Sequence, residues 1–193
     1  NEAADCADTT SADCDYKVLS RVHAQSAVIF NMQVQPRSQL KELRLAERYA
    51  WKGKDTLQAI ECYAEQGNAY ETLHDRDSLI LIREQASRQY KSIGRIDKAS
   101  LVLGPTVLSL LDKKQLNTAK DYLSYYEMNS GCFDENLNIA KGREIYYYVK
   151  GKYYLLINNV DSAEYYFRKE LREGKDLNNQ IAYEIKDGKG YIK

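Results

Sequence analysis

The chain reads EIYYYVKGKYYLLINNVDSAEYYFRKEL from Glu144 to Leu171, and this stretch decides the predicted fold class. Small and large aromatic side chains alternate in it at helical spacing, and Asn158, Asn159 and Val160 divide it into two halves. Small residues let two helices approach closely, and aromatic rings fill the space beside them. The stretch therefore predicts two helices that fold back on each other.

The small and aromatic residues of this stretch follow a recurring pattern. The first half carries Tyr147, Gly151 and Tyr154, and the second half carries Ala163 and Phe167. This pattern resembles the tetratricopeptide repeat (TPR), in which a small residue and an aromatic three places later on helix A meet an alanine and an aromatic on helix B. The resemblance implies antiparallel helix hairpins stacked as a right-handed TPR-like α-solenoid, whose A helices line a concave groove.

Similar segments occur elsewhere in the chain. Tyr63, Gly67 and Tyr70 repeat the first triad, and Gly188 and Tyr191 repeat its last two members. With two further helices before the first repeat, these segments predict an all-α chain of about nine helices. The predicted organisation is a disordered leader over 1–15 and a single domain over 16–193, with repeats at about 60–93, 97–129 and 137–173 and a partial repeat at 176–193. Because the partial repeat encodes only an A helix, we expect the chain to be a fragment of a longer protein.

Local signals predict where the helices begin and end. Gly53 and Gly94 are expected to end helices, and Gly104 with Pro105 is expected to break one. The A helix of the last full repeat is expected to begin near Leu137. The predicted N-caps are Ser38, Asp55 with Gln58, Asp77, Asn117, and Asp161 with Glu164. We expect His74 to Asp77 to be a capping turn, Asp134 to Asn136 a helix start, and Lys169 to Glu173 a solvated face.

Composition excludes several classes of protein. Lys and Arg number 28, as do Asp and Glu, so the net charge is zero and no general attraction to nucleic acid or acidic membrane is expected. No run of about 18 apolar residues is present, so we expect no membrane span in this chain. The polar leader is open to two interpretations, the remnant of a trimmed export signal and an ordinary frayed terminus.

Residues able to carry chemistry are few. Neither a phosphate-binding glycine loop nor a nucleophile or zinc motif is present, and the chain has only two histidines. Cys6 and Cys14 are expected either to form a local disulfide in an oxidising compartment or, with His23, to bind a metal, and the irregular spacing disfavours the metal. Cys62 is expected to be a buried thiol. The sequence predicts no enzyme activity, no metal and no cofactor.

The resemblance implies a function for the A helices. The residues that it places on the groove are Asn68, Glu71, Leu108, Tyr148, Lys152, Leu155 and Lys189, with Ala64, Leu101, Leu111 and Ile185 in the same row. We therefore expect a non-catalytic scaffold that binds a protein or peptide and belongs to a larger exported bacterial regulator, periplasmic or at the cell surface. The alternatives are a small-ligand sensor, a self-associating module that forms a homodimer, and a cytoplasmic location. Contact with a membrane would come only through segments outside this chain.

Overall fold

The computed structural model describes residues 15–173, 183–186 and 189–192. This part of the chain contains nine α-helices and one two-stranded antiparallel hairpin, so the prediction of an all-α fold with about nine helices is confirmed. The helices are α1 (Tyr16–Met32), α2 (Pro36–Lys52), α3 (Thr56–Thr72), α4 (Arg76–Ser92), α5 (Ile96–Leu101), α6 (Thr106–Asp112), α7 (Leu116–Asn129), α8 (Ile145–Leu156) and α9 (Val160–Glu173), and the strands are β1 (Tyr183–Lys186) and β2 (Lys189–Ile192).

The chain forms two compact units, Asn1–Arg95 and Ile96–Lys193. In the first, α1 packs on α2, α2 on α3 and α3 on α4, around a core that includes Leu43, Ile60 and Leu79. In the second, α5 and α6 pack on α7, α6 also packs on α8, and α8 packs on α9. The predicted single domain stays a prediction, since two compact units can belong to one repeat domain.

Six of the described turns between successive helices share one geometry, with the left-handed residue at 34, 54, 74, 94, 114 and 158. The starts of α1 to α4 lie twenty residues apart, and α5 and α7 continue this period. In the turn at 53–55, Lys54 N–H donates to Trp51 O at 3.1 Å and Asp55 N–H donates to Ala50 O at 2.9 Å, with Lys54 at φ 56. This is a Schellman motif, in which a left-handed residue closes the helix. Its last residue is also the N-cap of the next helix.

The left-handed position of these turns explains several differences from the predicted boundaries. Glycine occupies it only at Gly94, whereas the other left-handed turn residues are Val34, Lys54, His74, Lys114 and Asn158. Gly53 lies one residue earlier as the C-cap of α2 with φ −77, so the helix ends where expected, although Gly53 does not supply the left-handed conformation. Its missing side chain instead leaves room for Lys17, whose Cγ would lie 3.0 Å from a Cβ at this position.

The helix caps were predicted correctly at one site and shifted at four. Asp55 accepts the Gln58 N–H at 3.1 Å, as expected. The turn at His74 also caps a helix, but through Asp75, which accepts the Ser78 N–H, rather than through Asp77. The other caps are Gln35 instead of Ser38, Gln115 instead of Asn117, and Asn159, which accepts the Ser162 N–H, instead of Asp161 with Glu164.

The strained turns give a stability prediction. His74→Gly is expected to raise the free energy of unfolding by about 0.5–1 kcal/mol, because glycine adopts the left-handed conformation without a steric cost. His74 is exposed, so little packing is lost. Urea unfolding of the variant and of His74→Ala measures the effect. An alanine variant as stable as the glycine variant would contradict the role of backbone strain.

The interruption at Gly104 and Pro105 is confirmed. Helix α5 ends at Leu101 and α6 begins at Thr106, with Pro105 at the N-cap position of α6. Val102 and Leu103 are buried within the break. A Cβ at Gly104 would lie 3.1 Å from the Tyr126 ring, so the break also brings this backbone close to α7.

The predicted template hairpin is formed by α8 and α9. A Cβ placed on Gly151 would lie 2.6 Å from two Phe167 ring carbons, so the missing side chain lets the aromatic ring lie on the α8 backbone. Gly67 stands in the same relation to Arg83 between α3 and α4, where a Cβ would lie 2.4 Å from the Arg83 Nε. The close approach expected at both glycines is confirmed.

A long connection separates α7 from α8. Residues 130–144 form an irregular loop with an isolated bridge between Phe133 and Ile139, so the helix starts expected at Asp134 and Leu137 were wrong. Asp134 instead accepts the N–H groups of Asn136 and Asn138 and closes a turn. Side-chain hydrogen bonding of this kind competes with helix formation.

The loop packs against α9 and buries two charged residues there. Lys169 is buried, donates to Asn138 Oδ1 at 2.8 Å and lies 4.7 Å from the centre of the Tyr147 ring. Glu170 is also buried. The solvated face expected over Lys169 to Glu173 was therefore wrong at these two positions.

The last segment departs from the predicted partial repeat. The A helix expected over 176–193 is replaced at the described residues by the hairpin of β1 and β2, in which Tyr183 pairs with Ile192 and Lys186 with Lys189. Both strands pack on α9. Lys175, Asp176 and Gly188 lie outside the described residues, as does the leader over 1–14.

Candidate functional site

Four of the predicted groove residues lie on two helices that pack together in the second unit. Leu108 is on α6, and Tyr148, Lys152 and Leu155 follow one another along one face of α8. Lys152 Nζ donates to Asp112 Oδ1 at 2.6 Å, which links α8 to the last residue of α6. Asp112 was not among the residues predicted from the sequence. Its position four residues after Leu108, on the same helical face, is the signal that would have indicated it.

We call the set Leu108, Asp112, Lys152 and Leu155 the inner-helix surface. Leu108 and Leu155 are half-buried, and the ion pair of Lys152 and Asp112 retains about a quarter of its side-chain exposure, 24% and 28%. A pair this accessible contributes little to stability, since water and salt screen it. Its charges remain available to an incoming polar group.

Tyr148 lies beneath this surface more than on it. Its side chain is buried, with its ring centre 6.3 Å from that of Phe167. Burial raises the pKa of the Tyr148 phenol, and of the two neighbouring charges Lys152 lowers this pKa and Asp112 raises it. Tyr148 therefore supports the inner-helix surface from below as an uncharged aromatic side chain. Leu111, expected on the same row, is buried in the core.

Asn68 and Glu71, the predicted groove residues of the first unit, differ in their surroundings. Glu71 is exposed, whereas Asn68 is half-buried and engaged within the protein. Asn68 Oδ1 accepts from Arg83 Nη2, and Asn68 Nδ2 donates to Glu65 Oε2. Ala64 is buried. The amide of Asn68 thus serves an internal network, which the sequence analysis missed.

Arg83 is the centre of that network. It is buried over Gly67, in the place that Phe167 takes over Gly151. Burial lowers the pKa of the Arg83 guanidinium, while Glu65 and Glu71 raise it, so the two carboxylates offset part of the desolvation cost. In the repeat pattern, Arg83 stands where helix B usually carries an aromatic residue.

The predicted row does not continue as a helix into the last segment. Ile185 lies in β1 and Lys189 in β2, at positions paired with Gly190 and Lys186. Only the backbone of these residues is described. The inner-helix surface is therefore defined by α6 and α8 alone.

Residues able to bind a metal do not converge in the described part of the chain. No group of three His, Cys, Asp or Glu side chains able to hold a metal ion occurs there. His23 Nδ1 lies 2.7 Å from Glu42 Oε2, and its ring stacks on Tyr49, so this histidine has a structural environment. Cys62 is buried, as expected, and burial raises the pKa of its thiol. Cys6 and Cys14 lie outside the described residues.

A cluster of tyrosines lies beside Glu127 in the same unit. Glu127 Oε1 accepts from Tyr146 OH and from Lys150 Nζ, both at 2.6 Å. Burial, followed by the hydrogen bond to Glu127, raises the pKa of the Tyr146 phenol. The rings of Tyr154 and Tyr166 stack at 5.5 Å, with Lys150 Nζ 5.2 Å from the centre of Tyr166. These groups bind one another and hold α7, α8 and α9 together.

The helix hairpins and the inner-helix surface define an all-α protein that is built from antiparallel helix pairs. No metal centre occurs among the residues that the structure describes. Within the described residues, none of the helices has the length and hydropathy needed to cross a membrane. No protein-family model and no curated protein sequence matches the chain. Among solved structures, the crystal structure of BtubC (BKLC) from P. vanneervenii is similar, with a TM-score of 0.73 and 10% sequence identity over 96% of this chain and 74% of that chain. At this identity the similarity concerns the fold alone.

Proposed function

We propose that the chain is a non-catalytic scaffold that binds a peptide or a helix of a partner protein on the inner-helix surface. The observation that carries this proposal is the combination of two half-buried leucines, Leu108 and Leu155, with the accessible ion pair of Lys152 and Asp112. Apolar side chains supply contact area, and charges placed between them orient a polar partner. The TPR-like pattern of the sequence supports the same use of these helices.

The alternative of a small-ligand sensor receives less support from the tyrosine-rich helix. Tyr146 is buried and donates to Glu127, and Tyr154 stacks on Tyr166, so these groups already have partners within the protein. A ligand would have to displace those contacts. A thermal-shift screen of metabolites tests this alternative, which requires a ligand-dependent rise in melting temperature.

The wider setting that we propose is the interaction portion of a larger exported bacterial regulator. The polar leader and the degenerate tyrosine-rich repeats support this setting. A cytoplasmic location is the alternative. Fractionation of cells that produce the full-length protein distinguishes the two, because an exported protein is accessible to protease added outside the cytoplasmic membrane.

Lys152→Glu provides the test of the binding surface. Peptides selected from a display library on the wild-type chain are expected to bind this variant at least about tenfold more weakly, because the new carboxylate repels Asp112 and reverses the charge offered to the peptide. Fluorescence anisotropy with the selected, labelled peptides measures the change.

The matched control for this test is Lys120→Glu, which makes the same charge change at an exposed position of α7. It is expected to leave peptide affinity within about twofold of the wild type, since it lies off the inner-helix surface. Equal binding to the wild type, Lys152→Glu and Leu108→Asp would show that the peptides bind elsewhere. A chain that selects no peptide from the library would also count against the proposal.

A further inference from the structure

The loop between α7 and α8 carries an ordered tip that the proposed function does not use. Residues 134–138 lie between the bridged pair Phe133 and Ile139. Asp134 holds this tip together, since its carboxylate accepts the N–H groups of Asn136 and Asn138 and the Asn138 side-chain amide. Loops of this length in compact proteins frequently carry a function.

Leu137 is the unusual residue of the tip. Its side chain is 72% exposed, and its backbone lies in the left-handed region at φ 58, which leucine rarely adopts. The other non-glycine residues described with such φ values all lie in helix-to-helix turns, where the Schellman motif requires the conformation. Leu137 lies outside those turns. Leu137 instead closes the turn of the loop tip, where its N–H donates to Asp134 O at 3.0 Å, and this turn leaves the leucine side chain exposed.

A second exposed apolar surface lies on α1. Leu19 and Ala27 face the core, and the opposite side of the helix carries Val18, Val28, Ile29 and Met32, which are 51%, 52%, 55% and 79% exposed. Arg21 lies on that same side at helical spacing and is exposed. We call these five residues the α1 outer face. It combines apolar contact area with a positive charge.

The loop tip has the complementary character, because Leu137 is apolar and the exposed neighbour Glu135 is acidic. We propose that copies of this chain associate head to tail, with the loop tip of one copy on the α1 outer face of the next. Leu137 packs among Val18, Ile29 and Met32, and Glu135 pairs with Arg21. The net charge of zero adds no long-range repulsion between copies. Since the two surfaces differ, the contact is heterologous and extends to further copies or closes into a ring.

Charge reversal tests the contact. In sedimentation velocity over a series of concentrations, the weight-average sedimentation coefficient of the wild type is expected to rise with concentration. Arg21→Glu and Glu135→Arg are each expected to weaken association by about tenfold, because each places like charges opposite one another. The double variant is expected to restore association. If the double variant associates as weakly as the two single variants, the proposed pairing of Glu135 with Arg21 is wrong. A wild type that stays monomeric at its solubility limit would overturn the proposal.

A second variant separates binding from folding. Leu137→Asn is expected to raise the melting temperature, because asparagine tolerates the left-handed backbone, and to weaken association. Lys114→Asn makes the same backbone change at an exposed turn and is expected to raise the melting temperature without affecting association. If Leu137→Asn leaves association unchanged, the loop tip is not the contact. Neither variant alters the inner-helix surface, so failure here leaves the peptide-binding proposal standing.

Discussion

Gly151→Leu is expected to lower the free energy of unfolding by about 3 kcal/mol, because it overpacks the contact between α8 and α9. Even a Cβ at this position would lie 2.6 Å from Phe167 Cδ1 and Cε1, and Phe167 is 1% exposed. The ring cannot move outward without separating the two helices. Chemical denaturation followed by circular dichroism measures the loss.

Two further variants show whether the ring is responsible for this loss. Phe167→Ala removes the ring, and adding it to Gly151→Leu is expected to return part of the lost stability, because the leucine fills the vacated space. Gly67→Ala is expected to cost less than Gly151→Ala, since the flexible Arg83 side chain, rather than an aromatic ring, meets the new methyl group. If the stability losses of Gly151→Leu and Phe167→Ala simply add in the double variant, the two side chains do not compete for the same space.

Glu170→Gln is expected to stabilise the protein at pH 8 by about 3 kcal/mol and to have no effect at pH 4. Glu170 is buried, and its Oε2 has no hydrogen-bond partner. Burial, followed by the charges of Glu144 and Glu173, raises the pKa of this carboxyl group from 4.5 to about 7. The folded protein therefore holds the proton more tightly than the unfolded chain. Its stability falls as the pH rises from about 4.5 through 7, and glutamine removes that fall.

The control for this pH dependence is Glu164→Gln, which removes a carboxylate from the same helix. Glu164 pairs with Arg168 one turn away, and the Arg168 side chain is 61% exposed. An accessible pair of this kind is worth about 0.5 kcal/mol, so the variant is expected to be slightly less stable than the wild type at pH 8. Urea unfolding at pH 4, 6 and 8 measures both variants. If the free energy of unfolding of Glu170→Gln changes between pH 4, 6 and 8 in the same way as that of the wild type, this carboxyl group is not protonated in the folded protein.

The helical elements were the most predictable part of the structure. The sequence predicted about nine helices, and the Gly104 and Pro105 pair indicated the break between α5 and α6. The caps were less predictable. The residues Ser38, Asp77, Asn117 and Asp161 are all of types that cap helices well. Each of them, however, lies two or three residues after the observed N-cap, within the first turn of the helix. The geometry of the Schellman turn fixes the cap position, and its left-handed residue is mostly not the glycine that would have indicated it.

The candidate site was predictable in part. The resemblance to the tetratricopeptide repeat implied one groove for Leu108, Tyr148, Lys152 and Leu155, and the structure brings their helices α6 and α8 together. It also shows that Tyr148 is buried and that Asp112 belongs to the set. Asn68 could not be assigned from its own helix, because its partner Arg83 lies on α4.

The helices, the antiparallel hairpins and the glycine contacts could be predicted from the sequence, because they depend on spacing along one helix or between two neighbours in the chain. Which polar residues are accessible depends on tertiary contacts. Lys169 and Glu170 read as a solvated face, and the loop over 130–144 buries both by packing on α9. The same loop exposes Leu137, which periodicity had assigned to a helix. Burial depends on contacts between segments distant in the chain, and no local pattern records those contacts.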